Sequence, residues 1–204
     1  MTTVMASCVR AGLLLGALVA TACGDDSSGV GGGAAGGAGQ GGQGGDAGDA
    51  YAAMYDCQEN NFVETKPLSG PGYDPETGFV GEPQATYFAA TTQIYVAADA
   101  QEAFISASGP VIQQILKTPG LVAWTVGGDT DCQVNRTMTI WESEDAMYSF
   151  VTSGAHAEVM GQVTELSLTG KTVHWVITPE EIETQTWDTV RAKLDLEDPS
   201  ELYD

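Results

Sequence analysis

The chain has 204 residues, with 28 acidic side chains against 7 basic ones and a formal net charge of −21 at pH 7. Such a balance excludes nucleic acid as a partner and makes an anionic membrane surface a poor docking site. The first fifty residues contribute almost no apolar side chains to a core, so one compact domain is expected.

Residues 1–22 read as a signal peptide. Arg10 precedes the apolar run from Ala11 to Ala20, which is too short to span a bilayer as a stable helix. The run ends in Ala20-Thr21-Ala22-Cys23, which resembles the lipobox of exported bacterial lipoproteins: small residues before a cysteine that receives diacylglycerol. Ala20 stands where Leu is commonest. An ordinary secretory cleavage site with an incidental cysteine is the alternative. Within the segment 23–50, everything after Cys23 is Gly, Ala, Ser, Gln and Asp with Val30 as the single large apolar side chain. They bury too little to offset their ordering entropy, which predicts a tether with a reach on the order of 30 Å. The expected address is the bacterial cell envelope, outside the cytoplasm, with the membrane reached only through the lipid on Cys23.

Cys8 falls in the signal segment and Cys23 at the lipidation site, leaving Cys57 and Cys132 as a pair in an oxidising compartment. A disulfide is the economical reading. A zinc site is the rival, but Cys-x-x-Cys spacing is missing, so no metal is expected.

Residues 51–85 are dense in turn formers and read as an irregular lead-in. Thr86 to Val96 alternates, with Phe88, Ala90, Thr92 and Ile94 on one face and Tyr87, Thr91, Gln93 and Tyr95 on the other, a strand. Asp99 and Glu102 suggest a capping box for a helix to Lys117, with Gly109-Pro110 as a kink or break. Strands follow at Leu121 to Val126 and Val134 to Trp141, joined by a turn at Gly127-Gly128-Asp129. Ser143 caps a second helix that Ser153-Gly154 loosens. Lys171 to Thr178 is a fourth strand, and Thr178-Pro179-Glu180-Glu181 starts a C-terminal helix before an acidic tail, together residues 179–204.

From Thr86 to Thr178 the order is β-α-β-β-α-β, which predicts an α+β, ferredoxin-like domain over residues 86–178. Both helices then cover one sheet face. The other face, with Trp141 and Tyr95 taken as exposed on it, needs cover, and a second copy supplies it most simply, hence a homodimer.

The stretch Thr139-Ile-Trp-Glu-Ser-Glu-Asp-Ala-Met-Tyr-Ser-Phe-Val-Thr-Ser-Gly-Ala-His-Ala-Glu-Val-Met160 resembles the antibiotic-biosynthesis-monooxygenase superfamily of dimeric α+β barrels, and Gly120 to Trp124 is similar to its second strand. The features matched are Trp141, Phe150, Ser153 and His156. The haem-degrading branch carries a second Trp and a haem-ligating His where this chain has Phe150 and Met160, and its first-strand Asn has only Gln93 as the nearest amide. The resemblance therefore implies the cofactor-independent branch, whose oxygenases position a phenol-like small molecule and O₂ in a polar and aromatic pocket; no cofactor is expected.

His156 is the candidate catalytic residue, a general base or hydrogen-bonding group near a helix end. The other reading is a fold-supporting histidine whose ring satisfies a backbone carbonyl beside Gly154. Trp124, Trp141, Phe150, Tyr95 and Arg136 are candidate pocket residues for a small-molecule ligand. The aromatics read equally as core, and Arg136 as the partner of a neighbouring carboxylate. His174 reads as an ordinary strand residue. A metal-free monooxygenase-like enzyme and a non-catalytic envelope lipoprotein that binds a small ligand or partner both remain open, divided by whether His156 and a Trp share a pocket.

Overall fold

The computed structural model describes residues 47–196, so the expected signal peptide, Cys23, nearly all of the tether and the acidic tail from Glu197 to Asp204 lie outside the described residues. In chain order the elements are α1 (Ala47–Tyr55), β1 (Val63–Ser69), β2 (Tyr73–Asp74), β3 (Gly78–Phe79), β4 (Tyr87–Tyr95), α2 (Gln101–Ile115), β5 (Leu121–Asp129), β6 (Val134–Trp141), α3 (Glu144–Val151), α4 (Gly154–Met160), α5 (Val163–Leu166), β7 (Thr169–Ile177), α6 (Pro179–Glu183) and α7 (Trp187–Leu194). Five strands form one sheet in the order β1-β5-β6-β4-β7 with every neighbouring pair antiparallel. From β4 to β7 this is the ferredoxin-like β-α-β-β-α-β arrangement, the α+β class read from the sequence.

The lead-in differs from the irregular segment expected. Val63–Ser69 is an edge strand on β5, and β2 pairs with β3 in a short hairpin. Pro67 lacks an N–H, which suits only an edge, and the β1 register shifts twice, between Glu64 and Lys66 and again between Lys66 and Ser69. Lys66 holds the second irregularity shut. Its Nζ donates to the Ser69 carbonyl at 2.9 Å, to Ser69 Oγ at 2.5 Å and to the Trp124 carbonyl at 2.9 Å. It also lies 4.6 Å from the Trp124 ring centroid. Burial lowers its pKa to about 8, against the opposite pull of Glu64. On β5, Gly127 permits the approach of the lead-in, because a Cβ there would stand 2.5 Å from the Phe62 ring.

Several helix boundaries also move. α2 runs unbroken through Pro110, and its N-cap is Ala100 without a side-chain bond, so Asp99 caps nothing. Ser108 Oγ donates to the Phe104 carbonyl at 2.8 Å on the turn before Pro110. β5 continues through Gly127-Gly128 to Asp129, whose buried carboxylate accepts from the backbone N–H groups of Asn61, Asp131 and Cys132. This carboxylate ties the lead-in to the turn that carries Cys132. Beside it the Cys57–Cys132 disulfide spans Cα atoms 5.8 Å apart. The C-terminal helix is two helices, α6 with the expected Thr178 to Glu181 capping box and α7 capped by Thr186.

The sheet is covered on both faces from within the chain. Ile115, Leu121, Trp124, Trp141, Met147 and Phe150 pack under α2 and α3 on one side. On the other, Tyr87, Ala89, Met138 and Ile140 lie under Ile182 of α6, under Val190 and Leu194 of α7, and against Tyr73 of the lead-in. This corrects the expected dimer face: the surface assigned to a second copy is occupied by α6, α7 and residues 51–85. It also corrects Trp141, which is fully buried on the helix side, and Tyr95, which is buried on the opposite side beneath α1.

Candidate functional site

Strand alternation decides which candidates meet. In β6 and β4, Trp141 pairs with Phe88 while Arg136 pairs with Gln93, an odd and an even position on β6, so their side chains leave opposite faces of the sheet. The expected pocket of His156, Trp124, Trp141, Phe150, Tyr95 and Arg136 therefore does not exist as one site. His156, Phe150, Trp141 and Trp124 fall on the helix side. Tyr95 and Arg136 fall on the other.

On the helix side the aromatics form a filled stack. Phe150 lies on Trp141 with ring centroids 5.4 Å apart and near-parallel planes, and His156 meets Phe150 at 4.7 Å. Trp141 has 0% exposure, and its Nε1 donates to Thr139 Oγ1 at 2.8 Å. Trp124 is buried in the same cluster with its Nε1 lacking a hydrogen-bond partner among the described residues.

His156 owes its position to the break between α3 and α4. Gly154 adopts φ +55°, which an L side chain rarely accepts, and the Gln114 amide fills the space a Cβ would occupy. Gln114 Nε2 donates to the carbonyls of Phe150 at 3.1 Å and Ser153 at 2.9 Å, and its Oε1 accepts from the His156 backbone N–H at 2.9 Å. One side chain from α2 thus satisfies groups that the end of α3 and the start of α4 leave open. The imidazole then turns back, and Nδ1 donates to the Val151 carbonyl at 2.9 Å. Since a carbonyl only accepts, this bond fixes the proton on Nδ1. Burial lowers the His156 pKa, opposed by the Val151 bond.

On the opposite face Arg136 is nearly inaccessible, at 1% exposure, and is engaged on every side. Its guanidinium makes a two-point ion pair with Glu59, at 2.9 and 2.7 Å. Nε donates to Gln93 Oε1 at 2.8 Å, a second nitrogen makes a short contact to the same oxygen, and the group lies over the Phe62 ring. Gln93 Nε2 in turn donates to the Tyr95 hydroxyl at 2.8 Å. Burial, then the nearby Glu59 charge, raises the Tyr95 pKa far above its ordinary value. Arg191 of α7 also approaches Glu59, at 3.8 Å. Arg136 thus has the carboxylate partner that sequence allowed as its second reading.

Glu59, Gln114 and Arg191 escaped the sequence reading. Glu59 sits in a turn-rich stretch that gives no periodic signal, and Gln114 looks like any solvent-facing helix residue. A cavity of about 480 Å³ lies beside the Arg136 cluster, lined by Tyr55, Asp56, Gln58, Lys171, Arg191 and Asp195. A second, of about 270 Å³, is lined by Ala97, Asp99, Ala100 and residues 164–168. Neither is bordered by His156 or a tryptophan.

No family model matches the chain, and no curated protein matches it. Among solved structures, a candidate monooxygenase of Fusobacterium nucleatum is similar at 11% identity and a TM-score of 0.44, over 54% of this chain and 50% of that one. A Mycobacterium tuberculosis protein is similar at 17% identity and a TM-score of 0.40, over 46% of this chain and 94% of that one. A candidate antibiotic biosynthesis monooxygenase of Nitrosomonas europaea is similar at 14% identity and a TM-score of 0.40, over 43% and 95%. The likeness to these proteins is one of fold. The chain spans half the length of the Fusobacterium protein. The α+β assignment itself stands on the strand order and connections described above.

Proposed function

We propose that this chain is an exported lipoprotein, anchored through Cys23, whose α+β domain is a non-catalytic module that binds a small ligand or a partner. The observation that carries the non-catalytic part is the state of His156. Its half-buried ring packs against Phe150, which also stacks on Trp141, and neither of the two cavities described above is bordered by His156. A general base needs a proton donor within hydrogen-bond reach in a plausible substrate pose, and neither described cavity would hold a substrate at His156. The fold alone does not argue for oxygenase chemistry, because one scaffold carries many functions.

His156→Gln tests this reading. As a structural group, His156 should cost about 1 to 3 kcal/mol of stability when replaced, through the Val151 carbonyl left without its donor. Unchanged stability, together with loss of an oxygen-consuming turnover of phenolic substrates by the wild-type chain, supports the monooxygenase-like reading and ends the non-catalytic one. The anchor is tested separately: in cells fed labelled palmitate, the wild-type chain should take up label and Cys23→Ser should take up none. Equal labelling of both would remove the anchor from the proposal.

A further inference from the structure

The cavity of about 480 Å³ beside the Arg136 cluster is built from segments added to the β4-to-β7 unit. Tyr55, Asp56 and Gln58 come from the end of α1 and the turn after it, Arg191 and Asp195 from α7, and Lys171 alone from the sheet. Its size falls within the roughly 300 to 1,000 Å³ of small-molecule sites. The charges on its wall are sorted by exposure. Lys171 is buried, donates to the Leu194 carbonyl at 3.2 Å and has its Nζ 4.4 Å from the Tyr55 ring centroid. Arg191 is partly buried, whereas Asp56 and Asp195 are exposed. Arg191 is also loosely held. Its Nη2 reaches the Tyr55 and Cys57 carbonyls only at 3.5 and 3.3 Å, and its Nη1 reaches Glu59 only at 3.8 Å. Glu59 is held closely by Arg136 instead, at 2.7 and 2.9 Å. Among the described residues the Arg191 Nε makes no hydrogen bond.

We propose, building on the reading of the domain as a small-ligand module, that this cavity binds a free α-amino acid, with its carboxylate on Arg191 beside Lys171 and its ammonium toward Asp56 and Asp195. A guanidinium donates two parallel N–H bonds to a carboxylate, and one whose existing contacts are all long gives up little to make them. A simple organic anion offers the same end. It would have to approach a chain of net charge −21 and pass two exposed carboxylates, whereas a zwitterion carries no net charge and gives those carboxylates a cation to face. A plain amine suits Asp56 and Asp195 but brings nothing for Arg191. The arrangement of wall charges therefore selects a molecule with both groups.

Saturation-transfer NMR on the purified full chain, with the standard amino acids as probes at up to about 1 mM, tests this first. The amino acid that binds most tightly is then titrated by calorimetry beside its deaminated acid and its decarboxylated amine. Each of those should bind about tenfold more weakly or worse. Arg191→Met should weaken the amino acid about tenfold or more, while Lys117→Met, which removes an exposed cation elsewhere, leaves affinity unchanged. Asp56→Asn combined with Asp195→Asn changes two exposed side chains, so it keeps the test open if Arg191→Met fails to fold. This double variant should bring the amino acid and its deaminated acid to nearly equal affinity. Binding by none of the amino acids overturns the inference, as does an acid or amine that binds as tightly, a folded Arg191→Met variant of full affinity, or a double variant with the original preference. The outcome of His156→Gln is independent of all of these, so a failure here is distinguishable from a failure of the non-catalytic reading.

Discussion

The two faces of the sheet are covered by the same chain in opposite ways. Under α2 and α3 the cover is mostly apolar, and the polar contacts are neutral ones: Gln114 bonds to the α3–α4 junction and Trp141 Nε1 to Thr139 Oγ1. Under α1, α6 and α7 the cover includes a buried ion pair, an amide and a phenol, assembled from residues as far apart as Glu59, Gln93, Arg136 and Arg191. The helix side thus carries no buried ion pair among the described residues, whereas the opposite side adds one to an apolar cluster of its own. The second is the more fragile to single changes, because a buried charge that loses its partner has no water to turn to.

The sharpest way to break that difference is the disulfide, which fastens the lead-in, and with it Glu59, to the Arg136 side. A Cys57→Ser, Cys132→Ser double variant should lose roughly 4.5 kcal/mol on the chain-entropy model for a separation of 75 residues, read by urea denaturation. Hydrogen exchange should rise first in β1 and α7, ahead of α2 and α3. Next comes Arg136→Met, which leaves the buried Glu59 with only the longer contact to Arg191, at 3.8 Å. It should cost about 3 to 4 kcal/mol, whereas Arg136→Met combined with Glu59→Leu should recover much of that loss. Equal losses in the single and double variants would mean that packing, and not the charge pair, holds this face.

What was legible in the sequence follows the same division. The β4-α2-β5-β6-α3-β7 order, the Thr178 capping box and the Ser143 N-cap rest on patterns a few residues long, and each of them stands in the structure. The Cys57–Cys132 bond was readable because elimination left a single pair. β1 was hidden, since Pro67 and its irregular register erase the alternation by which a strand is recognised. The candidate site was read as one pocket although the alternation of β6 already separated Arg136 from Trp141. Residue type had been weighed and parity had not. The cover on the second face was foreshadowed by Ile182, Val190 and Leu194, but nothing local said that their helices would fold back over Met138 and Ile140 rather than leave room for another chain.

A smaller effect probes the helix side. Gln114→Ala removes the amide that bonds to Phe150, Ser153 and the His156 backbone, and should cost about 1 to 2 kcal/mol. The cost should be confined to the α3–α4 junction, seen as faster exchange of the His156 amide. A change of comparable size spread over the whole domain would show that the junction is not an independent joint.

The smallest expected effect is also the most direct test of the claim that burial and the Val151 bond fix the His156 ring. Its folded-state pKa lies below the ordinary value of 6.5, so below pH 6.5 the unfolded chain binds more protons at this site than the folded one. The neutral ring's contribution to stability is present above pH 6.5 and is lost as the pH falls through the lower, folded-state pKa. Nitrogen-detected NMR of the His156 imidazole across the histidine titration range reports both the tautomer and the midpoint. The proton should sit on Nδ1 at neutral pH and the midpoint should fall below 6.5, whereas a proton on Nε2 with Nδ1 free and a midpoint at or above 6.5 would contradict the account.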